Sequence, residues 1–159
     1  MQHVVFNQKG GVGKSTITCN LAAISAAQGQ RTLVIDLDSQ GNSSRYLLGA
    51  EWSEDQPNVA EFFEQSLKFT IRDKGASEFI VRTPWENLDL MPSSPLLDEL
   101  HGKLESRHKI YKLRDALAQL ADDYDQIYID TPPALNFYTR CALIAAQGCL
   151  IPFDCDDFS

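Results

Sequence analysis

The chain has 159 residues, of which 43% are hydrophobic, and a formal net charge of −8. A chain of this length and composition can bury one hydrophobic core, which excludes collagen-like, low-complexity and wholly disordered proteins and predicts one soluble domain. No segment approaches the roughly 20 apolar residues that span a bilayer, and the first residues do not resemble a cleavable leader, so we expect a cytoplasmic protein without a membrane partner.

The first half of the chain alternates predicted strands and helices. A strand at "HVVF" leads into a run of glycines, and apolar side chains at helical spacing follow it as far as Gly29, a suitable helix end. Residues 32–38 form a continuous apolar run that ends in carboxylates, which predicts a strand covered on both faces. Residues 51–87 are less regular: "VAEFFEQSL" predicts a short helix, and "GASEFIV" a strand or a connector.

The second half repeats this alternation. Residues 88–94, 126–133 and 148–154 have the same strand pattern, while residues 110–120 and the segment "NFYTRCALIAAQ" have helical apolar spacing. Strands that alternate with helices predict a three-layer α/β/α domain with a mostly parallel central sheet. One basic cluster in this half is interpreted as the solvated face of a helix: Lys103, Arg107, Lys109, Lys112 and Arg114.

The charge and the cysteines exclude several classes of protein. Residues 51–159 carry ten basic and twenty acidic side chains, and such a surface repels a phosphate backbone, which argues against a strong nucleic-acid binder. The cysteines form no Cys-x-x-Cys pair and have no histidines at metal-binding spacing, so we expect isolated reduced thiols. They are Cys19, Cys141, Cys149 and Cys155.

The segment "QKGGVGKST", residues 8–16, lies between the first strand and the first helix. The strict P-loop pattern requires a glycine where this chain has Gln8, so that pattern fails at one position. The glycines Gly10, Gly11 and Gly13 still allow backbone N–H groups to surround an anion at the helix N-terminus. We expect Lys14 to reach the β- and γ-phosphates and Ser15 to ligate Mg²⁺; Val12 and Thr16 complete the predicted phosphate-binding segment.

Carboxylates follow two of the predicted strands, at the edge where open parallel sheets bind ligands. "VIDLDSQGN" contains Asp36 and Asp38, whose spacing points both side chains to the same side of an extended chain, and "IYIDTPP" contains Asp130. Asp130 is a candidate Mg²⁺ ligand through water. An ordinary helix-capping role stays open for all three carboxylates.

The segment "KGGVGKST", which begins with Lys9, resembles the deviant Walker A motif of the ParA/MinD family of partition and positioning ATPases. The resemblance implies a homodimer that encloses nucleotide, in which Lys9 contacts the phosphates bound by the other subunit. It further implies that Asp38 orients the attacking water and that Asp36 supports the Mg²⁺ shell. Residues 40–42 would then form a nucleotide-sensing loop, and residues 131–133 would begin a switch segment.

The resemblance also implies a function: a slow Mg²⁺-dependent ATPase that dimerises with ATP and separates with ADP, in plasmid or chromosome partition. A ParB-like or other partner protein is expected, with non-specific DNA and a location on the nucleoid for the full-length protein. Because family members continue past the last predicted strand, we expect this chain to be the N-terminal portion of a longer domain. The adenine pocket and the main DNA-binding surface would lie beyond it, and the open sheet edge would invite swapped dimers.

Other functions stay open at this point. A MinD-like membrane role would need a C-terminal amphipathic helix, but residues 152–159 are short and acidic. A nitrogenase-reductase-like protein would need cysteines placed to share a cluster between subunits. Positioning of another cargo, a module that binds nucleotide or a partner without turnover, and a small-molecule kinase or ligase are the remaining alternatives. The sequence shows no acceptor pocket for the last of these.

Overall fold

The computed structural model describes residues 1–69 and 71–155. The strands are β1 (Gln2–Val5), β2 (Thr32–Asp36), β3 (Val81–Arg82), β4 (Leu88–Met91), β5 (Gln126–Asp130) and β6 (Gly148–Leu150). The α-helices are α1 (Lys14–Ala27), α2 (Asn42–Leu48), α3 (Val59–Glu64), α4 (Leu96–Ser106), α5 (Lys112–Leu120) and α6 (Phe137–Ala145). Short 3₁₀ turns occupy Gly49–Glu51, Gln65–Leu67 and Ala76–Phe79.

The strands of the described residues form one sheet in the order β3-β4-β2-β5-β1-β6. Its neighbouring strands are parallel except for β3 and β4, which are antiparallel. The register places Asp130 at the end of β5 opposite both Val5 of β1 and Asp36 of β2. The segments that follow these three strands therefore start side by side at one edge of the sheet.

Helices cover both faces of the sheet, and consecutive strand residues point to opposite faces. Leu33 and Ile35 of β2 pack into a core with α3, α4, α5 and α6, whereas Val34 packs into a second core with α1 and α2. All five residues of β2 are buried, as expected for a strand covered on both sides. The predicted three-layer α/β/α fold with a mostly parallel sheet is confirmed.

Several predicted boundaries differ from the structure. Gly29 follows α1 with a φ of 83°, as predicted, but the strand predicted over residues 32–38 ends at Asp36. Residues 76–79 of "GASEFIV" form a 3₁₀ turn that leads into the two-residue strand β3. The helices α2 and α4 are not predicted from the sequence: α2 is short and rich in serine, whereas the leucines of α4 at positions 97, 100 and 104 have helical spacing that could have identified it.

The basic cluster does not lie on one helix, so that interpretation is wrong. Lys103 belongs to α4 and Arg114 to α5, and between them the backbone reverses at His108, whose φ is 55°. A right-handed helix requires a negative φ, so α4 cannot continue through His108. Arg107, Lys109 and Lys112 line a groove of about 770 Å³ that includes none of the predicted phosphate-site residues.

The cysteines are free, in agreement with the predicted isolated thiols. Cys19 and Cys141 are buried, and burial raises the pKa of Cys19 to about 11 and that of Cys141 to about 12. Thiols of such high pKa are poor nucleophiles at neutral pH. Among the described residues, no helix has the length and apolar character needed to cross a membrane. Residues 156–159 of the acidic segment 152–159 lie outside the described residues.

Gly41 immediately precedes α2, at a position that only glycine fits. Its φ is 67°, and a Cβ atom built on it would overlap the indole ring of Trp52. Its amide donates to the backbone oxygen of Asp38 at 2.9 Å, which closes the turn between β2 and α2. The bulk of Trp52 and the left-handed backbone thus act together to exclude a side chain here.

We predict that Gly41→Ala lowers the free energy of unfolding by about 2–4 kcal/mol, because a left-handed alanine and an overpacked contact each cost about 1–2 kcal/mol. Urea denaturation measures this change. Gly102→Ala is the matched control: Gly102 lies inside α4 and an added Cβ meets no atom within 4 Å. The control variant should be as stable as the parent or slightly more stable. Equal stability of Gly41→Ala and the parent would contradict the prediction.

Candidate phosphate and metal site

The glycine turn after β1 exposes the N-terminus of α1. Gly11 and Gly13 have φ values of 73° and 85°, and Gly13 is the residue that caps the helix. No side chain caps α1, so its first backbone N–H groups are available to a ligand. An uncapped helix N-terminus in a glycine turn is suited to bind an anion such as a phosphate.

Two lysines flank this turn, and the structure places them differently. Lys14 is buried, and its Nζ donates to the backbone oxygen of Lys9 at 3.2 Å, so its side chain folds back across the glycine turn. The charge of Lys14 also stabilises the ionised forms of Asp38 and Asp130. Lys9 is exposed, while its backbone N–H donates to Asn7 Oδ1 at 2.9 Å. Only Lys14 therefore lies inside the predicted site of its own chain.

Asp130, the last residue of β5, is fully buried at the base of the site. Its Oδ2 accepts hydrogen bonds from Ser15 Oγ at 2.6 Å and Ser43 Oγ at 2.7 Å. Its Oδ1 is buried without a hydrogen-bond partner. Burial raises the pKa of Asp130, although the bonds from Ser15 and Ser43 and the charge of Lys14 oppose this shift. The carboxylate thus keeps one oxygen available for a further donor or a cation.

Asp36, the last residue of β2, is also fully buried. Its Oδ2 accepts from the backbone N–H of Ser44 at 2.9 Å and from Ser44 Oγ at 2.7 Å, and its Oδ1 accepts from the Asp38 N–H at 3.2 Å. Burial, and then the neighbouring charge of Asp130, raises the pKa of Asp36 to about 8. These contacts give Asp36 the capping role that the sequence left open, since Ser44 lies in the first turn of α2. Its role in a Mg²⁺ shell stays a prediction.

Asp38 lies two residues beyond β2, in a closed turn, and is 8% exposed. Its Oδ1 accepts from the Gln40 N–H at 3.0 Å, and its backbone oxygen accepts from Ser93 Oγ at 2.5 Å. Burial raises the pKa of Asp38, and Lys14 is among the groups that lower it. The predicted sensing loop ends in a helix, because Asn42 is the first residue of α2.

The segment after β5 lies beside the glycine turn. Thr131 is buried, and its Oγ1 donates to the backbone oxygen of Val5 at 2.6 Å. A Cβ atom built on Gly10 would lie 3.8 Å from the Cβ of Pro133. The predicted switch segment is therefore in contact range of the phosphate-binding turn, although its movement stays a prediction.

The polar groups at this edge fit Mg²⁺ better than a softer metal. Ser15 Oγ and the unpartnered Asp130 Oδ1 are oxygen atoms, the ligand type that Mg²⁺ prefers. In the part of the chain that the structure describes, no group of three or more His, Cys, Asp and Glu side chains could hold a metal ion.

Three serines at this site are not predicted as functional from the sequence: Ser43, Ser44 and Ser93. They connect α2 and the segment after β4 to the carboxylates, with Ser44 Oγ accepting from the Ser93 N–H at 2.9 Å. The only local signal is the serine pair "NSS" at the start of α2, which reads equally well as ordinary helix-terminal serines. Their partners depend on strand register, which a local pattern does not encode.

Comparison with known proteins identifies relatives along nearly the whole chain. A family model described as "AAA domain" matches residues 2–159. The chromosome partitioning protein ParA of Myxococcus xanthus (strain DK1622) is 37% identical over 156 residues, which cover 98% of this chain and 52% of that protein.

Two solved structures show the same fold. Cobyrinic acid a,c-diamide synthase from Mycobacterium smegmatis, with bound ATP analogue and magnesium, has a TM-score of 0.87 and 33% identity, covering 99% of this chain and 62% of that one. A plasmid partition protein from Borrelia burgdorferi has a TM-score of 0.84 and 28% identity, covering 99% of this chain and 67% of that one. The chain thus spans about half the length of the curated relative described above.

We predict that the parent protein loses stability as the pH rises from 6 to 9, and that Asp36→Asn reduces this loss. A carboxyl group whose pKa rises on folding from about 4 to about 8 stabilises the folded state below pH 4, and this contribution disappears as the pH passes through 8. Urea denaturation in EDTA measures the pH dependence. Asp55→Asn, which removes an exposed carboxylate, should retain the dependence of the parent. The same pH dependence in Asp36→Asn and the parent would show that Asp36 does not titrate in this range.

Proposed function

Because the chain belongs to the AAA domain family, as a ParA-type member, we propose that it is a Mg²⁺-dependent ATPase whose bound nucleotide controls dimerisation. The observation that carries this proposal is the buried Asp130. One of its oxygens is fixed by the Ser15 hydroxyl at the start of α1, while the other is unpartnered. An uncapped helix N-terminus, a buried lysine and this carboxylate meet at one edge of the sheet, as binding of a metal–triphosphate complex requires.

In the proposed complex the chain itself supplies most of the phosphate contacts. Backbone N–H groups of the glycine turn and of α1 donate to phosphate oxygens, and Lys14 places a cation among them. Ser15 would ligate Mg²⁺, and Asp130 would hold the ion through a water molecule. Asp36 would support this Mg²⁺ shell. The ion would neutralise charge on the phosphates. Solved relatives with bound ATP analogue, ADP and magnesium support this choice of cofactors.

Asp38 and Lys9 are the proposed groups for hydrolysis. Asp38 is mostly buried with a raised pKa, so its carboxylate can accept a hydrogen bond from a water molecule and orient it. Lys9 lies at the rim of the glycine turn with an exposed side chain, from which it can reach the phosphates of a second copy. A cation supplied by the other subunit couples hydrolysis to dimerisation, as an arginine finger does.

We further propose that the switch acts in plasmid or chromosome partition, with a ParB-like or other partner protein in the cytoplasm. Support comes from relatives that are named for partitioning. Positioning of another cargo by the same switch is the alternative. Because the chain spans only part of these relatives, we propose that it forms the N-terminal portion of a longer ATPase domain.

ATP-dependent amide synthesis is a second candidate function. It is supported by the TM-score of 0.87 to cobyrinic acid a,c-diamide synthase, whose solved structure holds an ATP analogue and magnesium. The two functions differ in what stimulates ATP turnover. Cobyrinic acid with an ammonia source should accelerate turnover by a synthase, whereas a second copy and a partner protein should accelerate turnover by a partition switch.

We predict that Mg·ATP and Mg·ADP bind the parent protein and raise its thermal unfolding temperature, and that Lys14→Ala weakens both affinities. Loss of a charge-assisted hydrogen bond to phosphate should lower each affinity by about 10- to 100-fold. Isothermal titration calorimetry gives the affinities. Lys103→Ala, which removes an exposed lysine of α4, should bind like the parent. Absence of binding and of thermal protection in the parent would refute the proposed function.

We predict that Lys9→Ala leaves nucleotide affinity within about threefold of the parent but prevents the ATP-dependent dimer, because this cation acts on the other subunit. The experiment uses an Asp38→Ala background, in which loss of the water-orienting group should slow hydrolysis by at least about 100-fold and trap the ATP-bound form. Light scattering with Mg·ATP measures the mass of each variant. Lys103→Ala in the same background should still dimerise, and a dimer of the Lys9→Ala, Asp38→Ala variant would contradict the prediction.

A further inference from the structure

We propose that Ser43 and Ser44, in the first turn of α2, are positioning residues that couple the metal site to the loop carrying Asp38. The inference rests on the proposed Mg²⁺–nucleotide site and assigns a role to side chains outside the glycine turn. It starts from the register of the sheet, which places Asp36 and Asp130 opposite each other at the ends of β2 and β5.

These two carboxyl groups have no exposed surface, so bulk water does not solvate them. Removal of such groups from water is costly unless hydrogen bonds replace the lost solvation. The donors come from two helices: Ser15 of α1 bonds to Asp130, and the first turn of α2 bonds to both carboxyl groups. The helix α2 is therefore attached to both strand ends at once.

Consecutive residues of α2 make these two attachments. Ser43 Oγ donates to Asp130 Oδ2 at 2.7 Å, and Ser44 Oγ donates to Asp36 Oδ2 at 2.7 Å. Both serines are completely buried, so the bonds are shielded from water. Ser43 and Ser15 bond to the same oxygen of Asp130, which fixes the carboxylate plane and leaves Oδ1 as the free atom.

The network continues to the predicted water-orienting residue. Ser44 Oγ accepts from the Ser93 N–H at 2.9 Å, and Ser93 Oγ donates to the Asp38 backbone oxygen at 2.5 Å. The Asp38 N–H also donates to Asp36 at 3.2 Å. A change in the orientation of Asp130 thus reaches Asp38 through α2 by direct contacts alone.

Binding of Mg²⁺ and nucleotide should add a restraint to this hydrogen-bond network. A metal-bound water is a hydrogen-bond donor that Asp130 Oδ1 can accept, which would fix the carboxylate through both of its oxygens. Ser43 is the contact through which this added restraint reaches α2. Ser43 therefore strengthens metal binding and makes α2 more rigid when the metal is bound, whereas Ser44 holds Asp38 in place.

The test compares Ser43→Ala, Ser44→Ala and Ser25→Ala with the parent. Ser25 is a matched control, because it is a buried serine on α1 whose Oγ bonds to Tyr128 Oη at 2.8 Å and to neither carboxylate. Calorimetry gives ADP affinity in EDTA and at increasing Mg²⁺ concentrations. Amide hydrogen exchange of residues 42–48, without ligand and with Mg·ADP, gives the protection that the ligand adds to α2.

We expect Ser43→Ala to retain metal-free ADP affinity but to weaken the apparent Mg²⁺ affinity about tenfold, as is typical when a partner of a metal ligand is removed. It should also lose the added protection of α2. Ser44→Ala should keep Mg²⁺ affinity within about threefold and lower the rate of ATP turnover instead. Ser25→Ala should match the parent in every measurement.

Three results would overturn the inference while the proposed function stands. The first is parent-like Mg²⁺ affinity and α2 protection in Ser43→Ala, and the second is the same losses in Ser25→Ala. A purely structural role would lower the baseline protection of α2 in Ser43→Ala but leave the Mg·ADP-dependent increase unchanged, which also overturns it. If ADP binding to the parent is not strengthened by Mg²⁺, the proposed function fails and the inference fails with it.

Discussion

The hydrogen bonds to two adjacent buried carboxyl groups hold the functional edge of this protein together. Asp36 and Asp130 end neighbouring parallel strands, and hydroxyl and backbone donors from α1 and α2 replace the water that they lose on folding. Burial raises the pKa of both groups, because the loss of hydration outweighs the hydrogen bonds that stabilise their ionised forms. Carboxyl groups with perturbed pKa values are common where a protein binds a charged ligand.

Sheet register determines which residues share this site. The pairing of Asp130 with both Val5 and Asp36 brings the glycine turn, the Asp38 loop and the segment after β5 to one edge. The two lysines of the glycine turn differ in their environment. Lys14 is buried across the turn, whereas the side chain of Lys9 is exposed to solvent. The proposal that Lys14 contacts the chain's own nucleotide and Lys9 that of a second copy rests on this difference.

Local sequence patterns predict the layers of the fold and the position of the glycine turn, because buried strands and a glycine-rich helix start have distinctive spacing. They do not predict α2, whose serines bond to carboxylates that are 87 and 8 positions away along the chain. Nor do they show that the basic cluster divides at His108. A residue other than glycine that adopts a positive φ is not marked by a distinctive local sequence pattern. Contacts fixed by register are the part of the site that only the structure supplies.

The position of Trp52 has a practical consequence. Its indole ring covers Gly41 where α2 begins, and the guanidinium of Arg45 lies 5.6 Å from the ring centre. The fluorescence of a tryptophan depends on the surroundings of its indole ring. Motion of the turn relative to this ring and to Arg45 should therefore alter the emission of Trp52. The other tryptophan, Trp85, is half exposed, and its replacement by phenylalanine would leave Trp52 as a built-in optical probe of the loop.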